Sequence, residues 1–307
     1  MTTAFVLSGA GSLGAVQVGM LQALAESHIQ PDLLVGTSAG ALNAAFIAGH
    51  GVDTRGIDAL AEVWAGLRAH AVFSLAPRQM VLALTGGSSG VCSDRGLRGL
   101  LDQHLRFEAL EDAPIPLIAV ATDLLTGREV ALRRGDAHQA VLASCAIPAV
   151  FPPVPYADMV LADGGLANNT AVSQAVLAGA DTVYVLTSGY ACALPHVPRT
   201  PWGVATHALS LLTHQRLAAD IAHYADQVDL VVLPTPCPLR VSPVDFRRAR
   251  ELARAAHVES VRWLALDGGR RPHPELYLAL HAHRDERETR RGTRAIPDQQ
   301  HEASHRR

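Results

Sequence analysis

The chain reads as short apolar runs alternating with longer stretches in which apolar residues recur at helical spacing. Strand-forming runs fall at 4–7, 33–36, 117–121, 129–132, 159–162, 182–186 and 230–233. Helical patterns cover 14–26, 39–48, 55–67, 94–104, 136–144, 171–178, 206–227 and 246–266. Several runs, such as DLLVG at 32–36 and PLIAVAT at 116–122, are apolar almost throughout rather than alternating. Such strands are buried on both faces, as in a largely parallel sheet covered by helices on both sides. Strand–helix alternation then predicts an α/β layered fold.

Composition narrows the function classes. At 307 residues, 49% hydrophobic and 18% charged, the chain suits a globular protein with a sizeable core, as one large domain or two small ones. A net charge of −3 gives no bulk attraction to nucleic acid. All 26 basic residues are Arg, which removes Lys as a Schiff-base or general-base candidate. Cys92, Cys145, Cys192 and Cys237 are scattered without ligand spacing, as in a protein with reduced thiols. No metal site is read from the sequence.

The first basic residue is Arg55 and glycines interrupt the N-terminal apolar run, so no signal peptide is expected. No run has the length of a transmembrane helix. These features predict a cytoplasmic protein, soluble or peripheral to a membrane; export by a dedicated machine would leave no trace in them. Residues 284–307 are almost devoid of apolar side chains and predict a disordered polar tail. The apolar stretch 72–84 and Trp202 are open to two readings, an interfacial surface or ordinary core packing.

The first strand runs into Gly9-Ala10-Gly11-Ser12-Leu13-Gly14. As a dinucleotide fingerprint, this G-x-G-x-x-G needs an acidic residue at the end of the second strand. Asp32 lies at that strand's start instead, and its end reads GTSAGALNAA at 36–45. Gly36-Thr37-Ser38-Ala39-Gly40 is a G-x-S-x-G between a strand and a small-residue helix, the context of a nucleophile elbow. Parallel neighbouring strands would set the glycine loop beside Ser38, where its free amides can form an oxyanion hole. None of the 15 His falls in a recognisable catalytic loop; His138, His207 and His214 sit in predicted helices. Asp163-Gly164-Gly165 ends another short strand, and Asp163 can accept the Ser38 proton directly or simply start a turn.

With the three motifs in order, the chain resembles the patatin-like phospholipases. That family carries a G-G-G-x-(Lys/Arg)-G loop, a G-x-S-x-G elbow and a D-G-(Gly/Ala) loop. ATDLLTG at 121–127 and ASCAIPAVFPPV at 143–154 are similar to its core segments, and 237–256 to the last part of bacterial members. The likeness spans about residues 4 to 265. It implies a three-layer α/β/α sandwich with a central, mostly parallel sheet in a single domain over 1–283. Its motif-bearing core would cover about 4–190 and its C-terminal completion about 200–283. It further implies Ser38 as nucleophile, Asp163 as base, and Gly9, Ala10 and Gly11 as oxyanion-hole donors. Gly14, Gly36, Gly40, Gly164 and Gly165 would support the motifs. It implies a lipid or ester substrate, no cofactor, and possible peripheral membrane contact. Two positions depart from the pattern: Ala10 stands for the middle glycine and Leu13 for the basic residue. The open alternatives are a small-ester esterase, thioesterase or lysophospholipase on the same dyad, and more remotely a non-catalytic lipid-binding protein or a nucleotide-binding oxidoreductase.

Overall fold

A computed structural model describes residues 1–75, 85, 87–189, 193–194, 196–237, 239 and 241–281, with the Trp202 side chain left aside. Cys192 and the tail 284–307 lie outside the described residues, as does most of the 72–84 stretch, Met80 included.

The chain begins β1 (Thr3–Leu7), a 3-10 turn (Gly11–Gly14), α1 (Ala15–Glu26), β2 (Leu33–Thr37) and α2 (Ala39–His50). It continues through α3 (Thr54–Gly66), α4 (Ala69–Val72), β3 (Ser74–Leu75), β4 (Cys92–Ser93) and α5 (Arg95–His104). Next come β5 (Leu117–Asp123), β6 (Glu129–Leu132), α6 (Ala137–Ser144), β7 (Val154–Tyr156) and β8 (Met159–Asp163). The last elements are α7 (Val172–Leu177), β9 (Thr182–Leu186), α8 (Pro201–Tyr224), β10 (Asp229–Leu233) and α9 (Ala249–Leu264).

The main sheet has the order β10-β9-β1-β2-β5-β8-β7, with β6 also on β5. The first five strands are parallel, whereas β6, β7 and β8 join antiparallel. The sheet is therefore mixed, parallel through its centre and antiparallel at one end. Side chains of the central strands alternate between two cores. Phe5, Leu7, Leu34 and Ala119 face one, shared with α1, α2, α3 and α9. Ala4, Val6, Val35 and Ile118 face the other, shared with α7 and α8. This makes three layers, and it explains the unbroken apolar runs in β1, β2 and β5.

The expected elements are present with shifted ends. The helix predicted at 206 starts at Pro201, where Thr200 caps it by accepting from Gly203 N at 3.0 Å. That predicted at 246 opens as a 3-10 turn before becoming α9. Strand β7 has no clear pattern in the sequence, because Pro155 interrupts it; it ends the sheet, where proline is tolerated. Among the described residues, no helix is long and apolar enough to cross a membrane.

Candidate active site

The register of β5 explains why two distant motifs meet. Thr37, the last residue of β2, pairs with Val120 of β5. Asp163, the last residue of β8, pairs with Ala121. Strand β2 runs parallel to β5 and β8 antiparallel, so their C-terminal ends meet head to head along one edge of β5. Ser38 and Asp163 are the residues at that meeting point.

Ser38 sits at φ 54° and ψ −123°, a strained region for a non-glycine residue. Its surroundings hold it there. Ser38 N donates to Ser144 Oγ at 2.9 Å, and that hydroxyl donates to the Val120 carbonyl at 2.6 Å. Cys145 Sγ donates to the Ser38 carbonyl at 3.2 Å. The flanking glycines let the elbow close. A Cβ on Gly40 would collide with the Leu7 carbonyl, and one on Gly36 would fall 2.6 Å from Ala41 Cα.

Asp163 is buried, and burial pushes its carboxyl from 3.8 up to about 6. The Ser38 hydroxyl and the Gly165 amide oppose that shift. Oδ1 accepts from Gly165 N at 2.8 Å, while Oδ2 is buried with no hydrogen-bond partner. Ser38 thus lies close enough to favour the carboxylate, short of a formed hydrogen bond. Thr122 Oγ1 donates to the Asp163 carbonyl at 2.9 Å and accepts from Ala167 N at 3.2 Å, which fixes the turn. Gly164 lies against Val120, whose carbonyl a Cβ would strike, and a Cβ on Gly165 would fall 3.0 Å from Asp163 Oδ1. Burial, and then the Asp163 charge, push the Cys145 thiol well above its usual range.

The glycine loop arrives beside Ser38: a Cβ on Gly9 would lie 3.0 Å from Ser38 Cβ. Its three expected donors are not equivalent. Gly9 N donates to the Asn169 carbonyl at 3.0 Å, so that amide is already engaged. Among the described residues the Ala10 and Gly11 amides meet no acceptor. Ala10 has φ −165°, outside the positive-φ region that demands glycine. Gly11 has φ +57° and passes against the Pro243 carbonyl, a place for glycine alone. A Cβ on Gly14 would meet the Trp64 ring at 2.8 Å. Leu13 is 2% exposed in the core shared by α1 and α2, so a basic side chain here would need a buried partner.

Beside Ser38 opens a pocket with about 800 Å³ of empty space, its mouth included. One wall is a single face of α2: Ala39, Leu42, Asn43 and Phe46. From Ser38 to Phe46 this face runs roughly 12 Å at the helical rise. Leu60, Trp64, Leu97 and Phe246 close the other sides. Val72 and Phe73 also line it, so the described start of the 72–84 stretch is pocket wall. His104 lies by Phe46, their rings 5.8 Å apart. Burial, then His50 and Arg106, hold its pKa down. Of the histidines in predicted helices, His138 pairs with Asp102 and His214 bonds the Leu278 carbonyl. Asp32 accepts from Thr3 N at 2.8 Å at the opposite end of the sheet, leaving no acid where a ribose would sit.

Sequence reasoning missed Ser144, Cys145 and Asn169. Asn169 joins two motifs, accepting from Gly9 N through its carbonyl and donating Nδ2 to the Gly9 carbonyl at 3.0 Å. The visible signal was the polar pair Asn168-Asn169 straight after Asp163-Gly-Gly-Leu-Ala, on a segment too short to be a surface helix.

A strained serine at a strand-to-helix elbow, a buried carboxylate and two amides without acceptors thus come together at one edge of an α/β sheet. A family model described as patatin-like phospholipase matches residues 5–176, and the chain belongs to that family. It is 34% identical over 165 residues to an uncharacterized NTE family protein of Mycobacterium bovis, covering 53% of this chain and 26% of that one. It is 30% identical over 188 residues to patatin-like phospholipase domain-containing protein 7 of Rattus norvegicus, covering 61% and 13%. The chain thus matches about a quarter or less of these curated relatives' length. Human GIVD cytosolic phospholipase A2, bound to methyl gamma-linolenyl fluorophosphonate, overlaps 90% of this chain and 59% of its own at 12% identity. Its TM-score is 0.45, too loose an overlap to add to the fold already described.

Proposed function

We propose that the protein is a serine acyl hydrolase that cleaves carboxylic esters of lipids through a Ser38–Asp163 dyad. The observation that carries this reading is the convergence of Ser38, held at φ 54°, with the buried Asp163 at the head of a long apolar pocket. The acyl chain lies along α2 and the ester carbonyl beside Ser38. Asp163 takes the Ser38 proton as Oγ attacks, and the Ala10 and Gly11 amides receive the developing oxyanion. Collapse, with Asp163 giving its proton to the leaving oxygen, expels the alcohol and leaves an acyl-serine. Asp163 then takes a proton from water for deacylation and returns it to Ser38. A carboxyl near 6 is basic enough for this and is ionised at neutral pH.

The apolar lining along α2 is what an acyl chain would pack against. Leu125 (79% exposed) follows β5 and Leu166 (46% exposed) follows Asp163, and these leucines are our candidates for contact with a lipid surface. The test is hydrolysis of a chain-length series of p-nitrophenyl esters together with diacyl- and lysophospholipids. Wild type, Ser38→Ala and Asp163→Asn are compared. Turnover by wild type alone supports the dyad, and the preferred substrate separates a phospholipase from a lysophospholipase or small-ester esterase. Full activity in either folded variant refutes it.

A further inference from the structure

Beneath the glycine loop lies a buried chain of three polar side chains, two of which, Asn43 and Trp64, also line the pocket. Trp64 Nε1 donates to Asn43 Oδ1 at 2.7 Å. Asn43 Nδ2 donates to the Gly14 carbonyl at 3.0 Å and to Gln17 Oε1 at 2.8 Å. Gln17 Nε2 donates to the Ser8 carbonyl at 2.8 Å and to the Leu186 carbonyl at 3.2 Å. Gln17 is fully buried, and Asn43 and Trp64 are 1% and 5% exposed. Every N–H and oxygen of the two amides is used.

The chain has one possible sense. An indole N–H only donates, so the Asn43 oxygen must face Trp64. Asn43 nitrogen then faces Gln17 oxygen, and Gln17 nitrogen faces the two carbonyls. The Ser8 carbonyl held by Gln17 and the Gly14 carbonyl held by Asn43 bracket the loop: Ser8 stands just before Gly9, and Gly14 closes the 3-10 turn. Between them lie the unpaired Ala10 and Gly11 amides. Asn43 belongs to α2, the helix whose start holds Ser38. The network therefore ties the loop that carries the oxyanion donors to the helix that carries the nucleophile.

We propose that Asn43, oriented by Trp64 and acting through Gln17, is the positioning residue that sets the oxyanion donors relative to Ser38. This rests on the hydrolase reading. A buried amide with three good partners costs much to insert in an apolar helix face and gains little in stability over a leucine. Its gain is geometric: displacement of a catalytic group by about 1 Å can cost about a hundredfold in rate.

The experiment compares wild type, Asn43→Leu and Trp64→Phe. Asn43→Leu removes every polar atom at similar volume, and Trp64→Phe removes the indole N–H while keeping an aromatic ring. Readouts are kcat and KM on a short-chain p-nitrophenyl ester, inhibition by an aliphatic trifluoromethyl ketone, and amide exchange across residues 8–14. Asn43→Leu is expected to lower kcat about 10- to 100-fold with KM within about threefold. The ketone, whose adduct carries the oxyanion, should weaken by a similar factor. Exchange in 8–14 should quicken, and Trp64→Phe should move each readout in the same direction by less. A folded Asn43→Leu protein with unchanged kcat and ketone affinity overturns the proposal, even if its melting point falls. If Asn43→Leu does not fold, unchanged kcat and exchange in Trp64→Phe overturn it. If the wild type hydrolyses no ester, the hydrolase reading fails, while exchange still decides whether Asn43 holds the loop.

Discussion

Replacing Asp163 with asparagine should abolish turnover and stabilise the fold, with a pH dependence set by the buried carboxyl. Burial holds Asp163 at about 6 instead of 3.8. A gap of about two pH units is roughly 3 kcal/mol of preference for the protonated form in the folded protein. Between those values the folded protein keeps the proton that the unfolded chain releases, so stability falls as pH rises through the window. The whole cost is present above about pH 6 and absent below about pH 4. The substituted amide cannot ionise and escapes it. In guanidinium unfolding, Asp163→Asn should therefore exceed the wild type by about 3 kcal/mol at pH 8, about 1.5 kcal/mol at pH 5, and little at pH 4. The same group predicts that wild-type kcat/KM rises about tenfold per pH unit below about pH 6 and then levels off. A gain that is equal at pH 5 and pH 8, or a loss at pH 8, would refute the buried-carboxylate argument even if the variant were inactive.

Other consequences are open to direct measurement. Ser38→Gly relieves the φ of 54° and should raise stability by about 1 kcal/mol in chemical denaturation while eliminating turnover; an unchanged midpoint would mean the elbow carries no strain. Ser144→Ala leaves the Ser38 amide without its acceptor, and should cost about 1–3 kcal/mol and lower kcat more than it raises KM. Leu42→Trp fills the pocket one turn from Ser38. At about 0.8 kcal/mol per methylene withdrawn from the pocket, kcat/KM for long-chain esters should drop tenfold or more while short-chain esters are spared. Leu125→Asp with Leu166→Asp should weaken co-sedimentation with phospholipid vesicles and leave hydrolysis of a soluble ester intact; unchanged sedimentation would remove these leucines from the contact surface.

What could be read before the structure follows from where each constraint acts. The elbow and the two glycine loops impose local demands, since the backbone passes where a Cβ would collide. Those demands leave glycines at fixed spacing: Gly36 and Gly40 around Ser38, and Gly164 after Asp163. Ser144, Cys145 and Asn169 act only through contacts between residues far apart in sequence, and their own segments show no spacing that betrays them. Asn43 and Gln17 are intermediate cases. Each is a lone amide on an otherwise apolar helix face, ALNAAFIA and AVQVGML. A buried polar group is costly without partners, so such a position signals a built network even when the partners cannot be named. Strand direction was the deeper gap. A parallel β8 and the observed antiparallel β8 present the same apolar pattern. Only the antiparallel strand runs back along β5 to meet β2 end to end, and only that places Asp163 opposite Ala121, one step beyond the Thr37–Val120 pair. The meeting of Ser38 and Asp163 is thus a consequence of the mixed end of the sheet, the part of the fold that apolar runs describe least.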